Sequence, residues 1–551
     1  MAAHDRGNET EQPSASRRGL VSGFVAIVAL GVASFAWLRP TNFRGYDEWV
    51  VVSLLSRGVL SFPHANRPLN LIWHVPAWLI APDRLWGFLL VHAAWMTASG
   101  ILAFLVVRRL LPGAERLALL AGAIAVAWMP SEPTRVSSVQ MTLYSGCTAG
   151  ALFSTWRLVL AWQRRRPVLL PVAALVAAAA AMSLEASLPI LALAPVLLLL
   201  DGGARQLRRW LLWTSGAGLV VAGLAARAAM PLLTGGDALS YQLRLLSGTP
   251  SPWSVGRRIG IQLKRHLLPL LTSPWSELLV PAVPVAVLVF ALGFAVATRG
   301  ESGALSASGP RRRAVVCALL VGFAYAVVGY WPMLMMRSAR GIPRVEFLAT
   351  PGIAVLLAAA IVLATSPLGR RLRPWAAVLL GAWVVAVGTG RTIAMQRAWD
   401  ASIYANQRRT LGQLAALAPS FAPHTFVVLL QEGGTWTFDF SFARAIDYLY
   451  EGTARGSVPG ADSLLYETRY EPGGVVSSRA PILRGPWGEE TLLYRYDEVV
   501  VFLEQKNGAL LVLDAWPGDL GPLPAGAVYA PRGRILTDSP RPRRAAIFDG
   551  R

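Results

Sequence analysis

Two adjacent carboxylates, Asp47 and Glu48, stand in the segment NFRGYDEWVVVSLLSRGVLSFPHANRPL, directly after the first apolar run of the chain. Carboxylates in such a place have two uses. At a helix start they cap free N–H groups and complement the positive end of the helix dipole. Beside a bound hydroxyl they accept its proton. Tyr46 and Trp49 flank the pair, and Arg44 and Arg67 stand close in sequence. Glu132, Glu185, Arg340 and Arg344 lie in other segments that the topology below places on the same side. Arginine adds paired donors that match phosphate or carboxylate oxygens. Local sequence alone favours the cap. Convergence of these groups at the mouth of a membrane domain favours a site.

The elements that must position them follow from hydropathy. The 551 residues are 54% hydrophobic and only 15% charged, too few charges for a soluble chain of this length. Apolar runs of about 20 residues read as membrane spans, and the chain reads as a polytopic α-helical membrane protein with about eleven of them. They fall at 20–38, 85–107, 117–129, 143–162, 167–184, 188–200, 210–230, 278–298, a run ending near 331, 347–364 and 375–389. The net charge is +21, nearly all of the basic residues being Arg. Clusters at 17–18, 108–109, 164–166, 205–209, 311–313 and 370–373 fall on one side, which makes that side cytoplasmic. The excess positive charge therefore reads as membrane topology and affinity for anionic lipid, with no nucleic-acid partner expected.

Residues 1–19 form a disordered cytoplasmic N-terminus and 20–391 the transmembrane domain, with a first outside loop at 39–84. An odd number of spans leaves the C-terminus outside. From 392 to 551 the pieces HTFVVLLQ, TLLYRY, EVVVFLEQ and ALLVLDAW, separated by Gly and Pro, predict an extracytoplasmic α/β or mostly β domain. Cys147 and Cys317 lie in apolar runs, which argues against a disulfide framework. Within the first outside loop, Val50, Val51, Leu54 and Leu55 share one helical face and Ser53, Ser56 and Arg57 another, predicting a short amphipathic helix at the membrane interface. The basic stretch 241–269 predicts a second helix on the outer leaflet. His74 and His92 read as interfacial or packed side chains, and most Trp residues flank spans, as aromatic belts do.

GYDEW just after the first span, the hairpin SLEASLPILALAPVLLLL, the loop RGIPRVEFLATPG before a late span and the C-terminal outside domain together resemble the GT-C glycosyltransferases. These include the protein O-mannosyltransferases and the aminoarabinose and arabinofuranosyl transferases. The resemblance covers residues 20–390. It implies a polyprenyl-phosphate sugar donor and a hydroxyl acceptor on a glycan, lipid or protein, at the outer face of the cytoplasmic (inner) membrane. Asp47 takes the place of the general base. Glu48 would orient the acceptor or hold a metal; no metal box stands in the sequence, and neither metal nor cofactor is expected. Arg67, Arg340 and Arg344 would hold the departing phosphate, with Glu185 and His64 as further substrate-binding groups. Two rival classes remain: a transporter or flippase, which calls for charges at mid-span, and a non-catalytic scaffold presenting the C-terminal domain.

Overall fold

The computed structural model describes residues 14–39, 47–60, 67, 69–111, 113–128, 136–164, 166, 168–197, 251–298, 312–331, 334, 347–369, 371–400, 403–461, 466–479 and 491–548. The first eight helices are α1 (Ser14–Phe35), α2 (Asp47–Ser56), α3 (Val75–Ile80), α4 (Leu85–Leu110), α5 (Glu115–Ala127), α6 (Ser138–Arg164), α7 (Leu169–Ser183) and α8 (Leu188–Leu197). After them come α9 (Pro252–Leu267), α10 (Ala282–Thr298), α11 (Arg312–Gly329), α12 (Thr350–Thr365) and α13 (Leu372–Asp400).

Among the described residues, four stretches are long and apolar enough to cross a membrane: Arg18–Phe35, Leu85–Leu110, Phe347–Thr365 and Leu372–Ala398. This fits a helical membrane protein, but the count of about eleven spans is not met among the described residues. Leu169–Ser183, Ala282–Thr298 and Ala314–Gly329 are apolar but shorter. Helix α5 has 13 residues, about 20 Å at 1.5 Å each, against a hydrocarbon core of about 30 Å. Helix α8 is shorter still. Helix α6 has the length, at 27 residues, but carries Gln140, Thr142, Ser145, Thr148, Ser154, Thr155 and Arg157. The run at 210–230 lies outside the described residues. The physical reason for the miscount is that an apolar run also describes a helix buried among other helices, as α5 is: all of Leu117–Ala127 is buried.

Small residues bring the bundle's backbones together, as in other helical membrane domains. A Cβ added to Gly352 of α12 would come 2.4 Å from the Ala326 nitrogen of α11, and one on Gly329 would come 2.5 Å from the Ala349 Cα. Helix α9 is amphipathic, and its apolar residues Val255, Ile259 and Leu263 pack on the bundle core. Arg258 donates to the Leu334 carbonyl at 2.7 Å, and His266 pairs with the Tyr330 hydroxyl at 2.8 Å.

Beyond α13, α14 (Ile403–Leu417) leads into β1 (Thr425–Gln431), α15 (Asp439–Leu449) and β2 (Ala454–Ser457). Strands β3 (Tyr466–Glu471), β4 (Gly474–Arg479), β5 (Thr491–Tyr494), β6 (Val499–Glu504) and β7 (Leu510–Val512) follow. One sheet has the order β2-β1-β6-β7, with β1 parallel to both neighbours and β7 antiparallel; β3-β4-β5 form an antiparallel sheet. In β1 and β6, Val427, Leu429, Val500 and Phe502 face one core, while Phe426, Val428, Val499 and Val501 face another. Burial on both faces explains why these strands are apolar throughout.

Helix α2 lies between the bundle and this sheet region. Every residue from Glu48 to Leu55 is buried, so α2 is not an interfacial helix with one face in water. Its apolar residues share a core with Leu71, Phe88 and Val91 on the bundle side and with Phe442, Ile446 and Leu449 on the C-terminal side. A helix this rich in Val and Leu is stable only when other elements cover it. Each fully buried Val or Leu contributes roughly 1.5–3 kcal/mol. The close contacts give a test. Gly352→Val must force α11 and α12 apart and lower the melting temperature of the full chain in detergent. Gly412→Ala, with nothing within 4 Å of its new Cβ, should leave it unchanged or raise stability by up to about 1 kcal/mol. Equal effects from the two changes contradict this packing.

Candidate functional site

Two helix N-termini meet at the carboxylate pair. Helix α2 begins at Asp47, and α6 begins at Ser138. Gln140 Nε2 donates to Asp47 Oδ2 at 3.0 Å, and the Ser137 hydroxyl donates to Glu48 Oε1. The two acids differ in exposure: Glu48 is fully buried and Asp47 half-buried. Burying a carboxylate costs several kcal/mol unless donors and dipoles replace water. Here a hydroxyl and the positive ends of two helices supply them. Glu48 is thus turned into the structure, while Asp47, held by Gln140, is only half-buried.

His74 rests on the same first turn of α6. Its Nε2 donates to the Val139 carbonyl at 2.9 Å. Burial pushes its pKa down to about 4, against the opposing pull of the Val139 carbonyl, so at neutral pH it is an uncharged strut between the first outside loop and α6. Trp73 fits a notch on α6 where Cβ atoms on Gly146 and Gly150 would stand 2.7 and 2.8 Å from its ring, and it meets Trp95 edge-on at 5.5 Å. Both Trp73 and the buried Trp49 are therefore packing residues rather than belt residues.

The neighbouring loop is tied down in the same way. The Ser183 hydroxyl at the end of α7 donates to the Leu69 carbonyl at 2.7 Å. Half-buried Arg67 lies two residues earlier. The turn Glu185–Ser187 follows α7 directly and packs on α6. The structure thus brings α2, the 67–74 segment and the turn that opens with Glu185 around α6. His64, Glu132, Arg340 and Arg344 lie outside the described residues. Among the described residues, no group of three His, Cys, Asp or Glu side chains is placed to hold a metal ion.

The C-terminal domain grips α2 from the other side. Ser53 donates to Asp447 Oδ2 of α15 at 2.7 Å, Arg57 pairs with the same carboxylate, and Arg444 stands 3.4 Å from it. Arg544 donates to the Ser56 hydroxyl at 3.0 Å and to the Tyr448 carbonyl at 3.2 Å. Trp49 is wedged between Tyr448 and Phe548. The Tyr448 hydroxyl donates to Asp83 Oδ1 at 2.7 Å, and Asp83 takes a left-handed φ of 56°. Sequence reasoning passed over Ser137, Gln140, His74 and Asp447 as site residues. Ser137 and Gln140 were detectable only as polar residues entering an apolar run; Asp447 carried no signal at all.

The chain matches no known family model and no curated protein, so the functional reading stands on these residues and their geometry.

His74 yields a pH test. Its folded-state pKa of about 4 lies below the ordinary 6.5. The stability it contributes is therefore complete above about pH 6.5 and is lost as pH falls through about 4, up to about 3 kcal/mol. Thermal unfolding of the full chain from pH 7 to 4 should show this loss, and His74→Gln should flatten it. Identical pH profiles for the two proteins contradict the assignment.

Proposed function

We propose that this chain is a membrane glycosyltransferase similar to the GT-C enzymes, moving a monosaccharide from a polyprenyl phosphate to a hydroxyl outside the cytoplasmic membrane. The observation that carries the reading is the setting of Asp47: half-buried, held by Gln140, at the junction of the bundle and the C-terminal domain. A general base must be ionised, oriented and reachable. Two helix N-termini favour the ionised form, and the hydrogen bond supplies the orientation. Asp47 takes the proton of the acceptor hydroxyl, and that oxygen bonds to the anomeric carbon. The bond from that carbon to the phosphate oxygen breaks, and polyprenyl phosphate leaves with the electron pair. The departing charge calls for guanidinium groups, a role we assign to Arg67, Arg340 and Arg344. His64 and Glu185 are assigned to substrate contacts. Glu48 acts as a positioning residue, because its carboxylate is enclosed and bound by Ser137. The same reading sets the N-terminus in the cytoplasm and the C-terminal domain outside.

A second reading has its own support. The ties from Ser53, Arg57 and Ser56 to Asp447 and Arg544 would serve a scaffold that only presents the C-terminal domain. One substitution separates the two. Asp47→Asn, assayed in membranes with polyprenyl-phosphate sugars, should lower transfer about 10²- to 10⁴-fold with little change in melting temperature. Glu48→Gln should lower stability as well as rate. Full transfer by Asp47→Asn rejects the base assignment and leaves the scaffold.

A further inference from the structure

A groove of about 810 Å³ runs between α1 and α10, remote from α2 in sequence and lined by a different set of residues. Arg18, Ser22, Val25 and Ala29 line it from α1, and Val289 and Val296 from α10. The α1 residues recur at helical spacing, so the groove follows one face of that helix. Its volume lies within the range of about 300–1,000 Å³ common to small-molecule sites. Val25 and Val296 are 56% and 55% exposed, as expected of apolar side chains that face lipid and not of those in a closed core. The helices touch where Gly293 meets Ala26; a Cβ there would come 2.6 Å from the Ala26 Cβ.

Length and charge define the occupant. From Arg18 to Ala29 the helix rises about 16 Å at 1.5 Å per residue. One leaflet of the hydrocarbon core is about 15 Å thick. The lining is apolar except at one end, where Ser22 donates to the Arg18 carbonyl at 2.8 Å and the exposed Arg18 side chain provides the one charge among the described lining residues. A cation at the mouth of a leaflet-long apolar channel complements a ligand with a hydrocarbon chain and a phosphate. We infer that this groove binds an anionic phospholipid from the leaflet on the Arg18 side, an acyl chain lying between α1 and α10 and the phosphate at Arg18. The occupant is a resident lipid lying between α1 and α10, and the inference is independent of the proposed transfer reaction.

The test uses the full chain purified in detergent and incubated with phosphatidylglycerol or phosphatidylcholine, with native mass spectrometry after washing. The wild type should retain phosphatidylglycerol preferentially. Arg18→Gln should reduce that preference about fivefold. Val25→Trp, a change at a half-exposed position, should block retention of both lipids without altering the melting temperature. A photo-crosslinker at Val25 should label lipid in intact membranes. Equal retention of both lipids by the wild type, unchanged retention in Val25→Trp, or crosslinks from Val25 to another segment of the chain would each overturn the inference.

Discussion

A mostly apolar ten-residue helix, buried from Glu48 to Leu55, needs cover on both sides, and the arrangement of this protein follows from enclosing α2. The bundle covers one side through Leu71, Phe88 and Val91, and α15 covers the other through Phe442, Ile446 and Leu449. Neither half completes that core alone. The polar residues of α2 obey the same constraint. Ser53 is buried on Asp447, half-buried Ser56 accepts from Arg544, and Arg57, exposed just past the helix end, pairs with Asp447. The membrane domain and the C-terminal domain are therefore joined by an intact piece of hydrophobic core, locked by charge pairs at its edge.

Enclosure also decides what the two acids can do. At the start of a freely solvated helix, Asp47 and Glu48 would be interchangeable caps. Once α2 is covered and the start of α6 is brought against it, they diverge. Glu48 loses all contact with solvent and is satisfied by Ser137; Asp47 stays at the boundary on Gln140. His74, kept neutral by burial, fixes the loop to the same turn of α6. A carboxylate held by a defined partner is what the proposed proton transfer requires. In the proposed reaction, the C-terminal domain contributes by holding α2 still, whether or not it touches substrate.

Part of this was legible in the sequence. The pieces HTFVVLLQ, EVVVFLEQ and ALLVLDAW became β1, β6 and β7 because short apolar runs bounded by turn residues carry a local signal. The acidic pair did begin a short helix. The character of that helix was not legible: the spacing of Ser53 and Arg57 suggests a wet face, and their partner Asp447 stands 394 and 390 residues away. Ser137 and Gln140 lie 89 and 93 residues from the acids they bind. No periodicity encodes contacts at such separations. The span count failed for a related reason: α5 is apolar because protein surrounds it, and hydropathy does not distinguish protein from lipid.

The enclosure of α2 is open to direct measurement. Single cysteines at Val50, Val51, Val52, Leu54 and Leu55, in a background lacking Cys147 and Cys317, can be challenged in native membranes with water-soluble and lipid-soluble maleimides. The enclosed helix predicts that none of the five reacts with either reagent until the protein is denatured. Rapid labelling of positions 50, 51, 54 and 55 by the lipid-soluble reagent, with 52 protected, would instead show a helix lying on the membrane and would contradict the account.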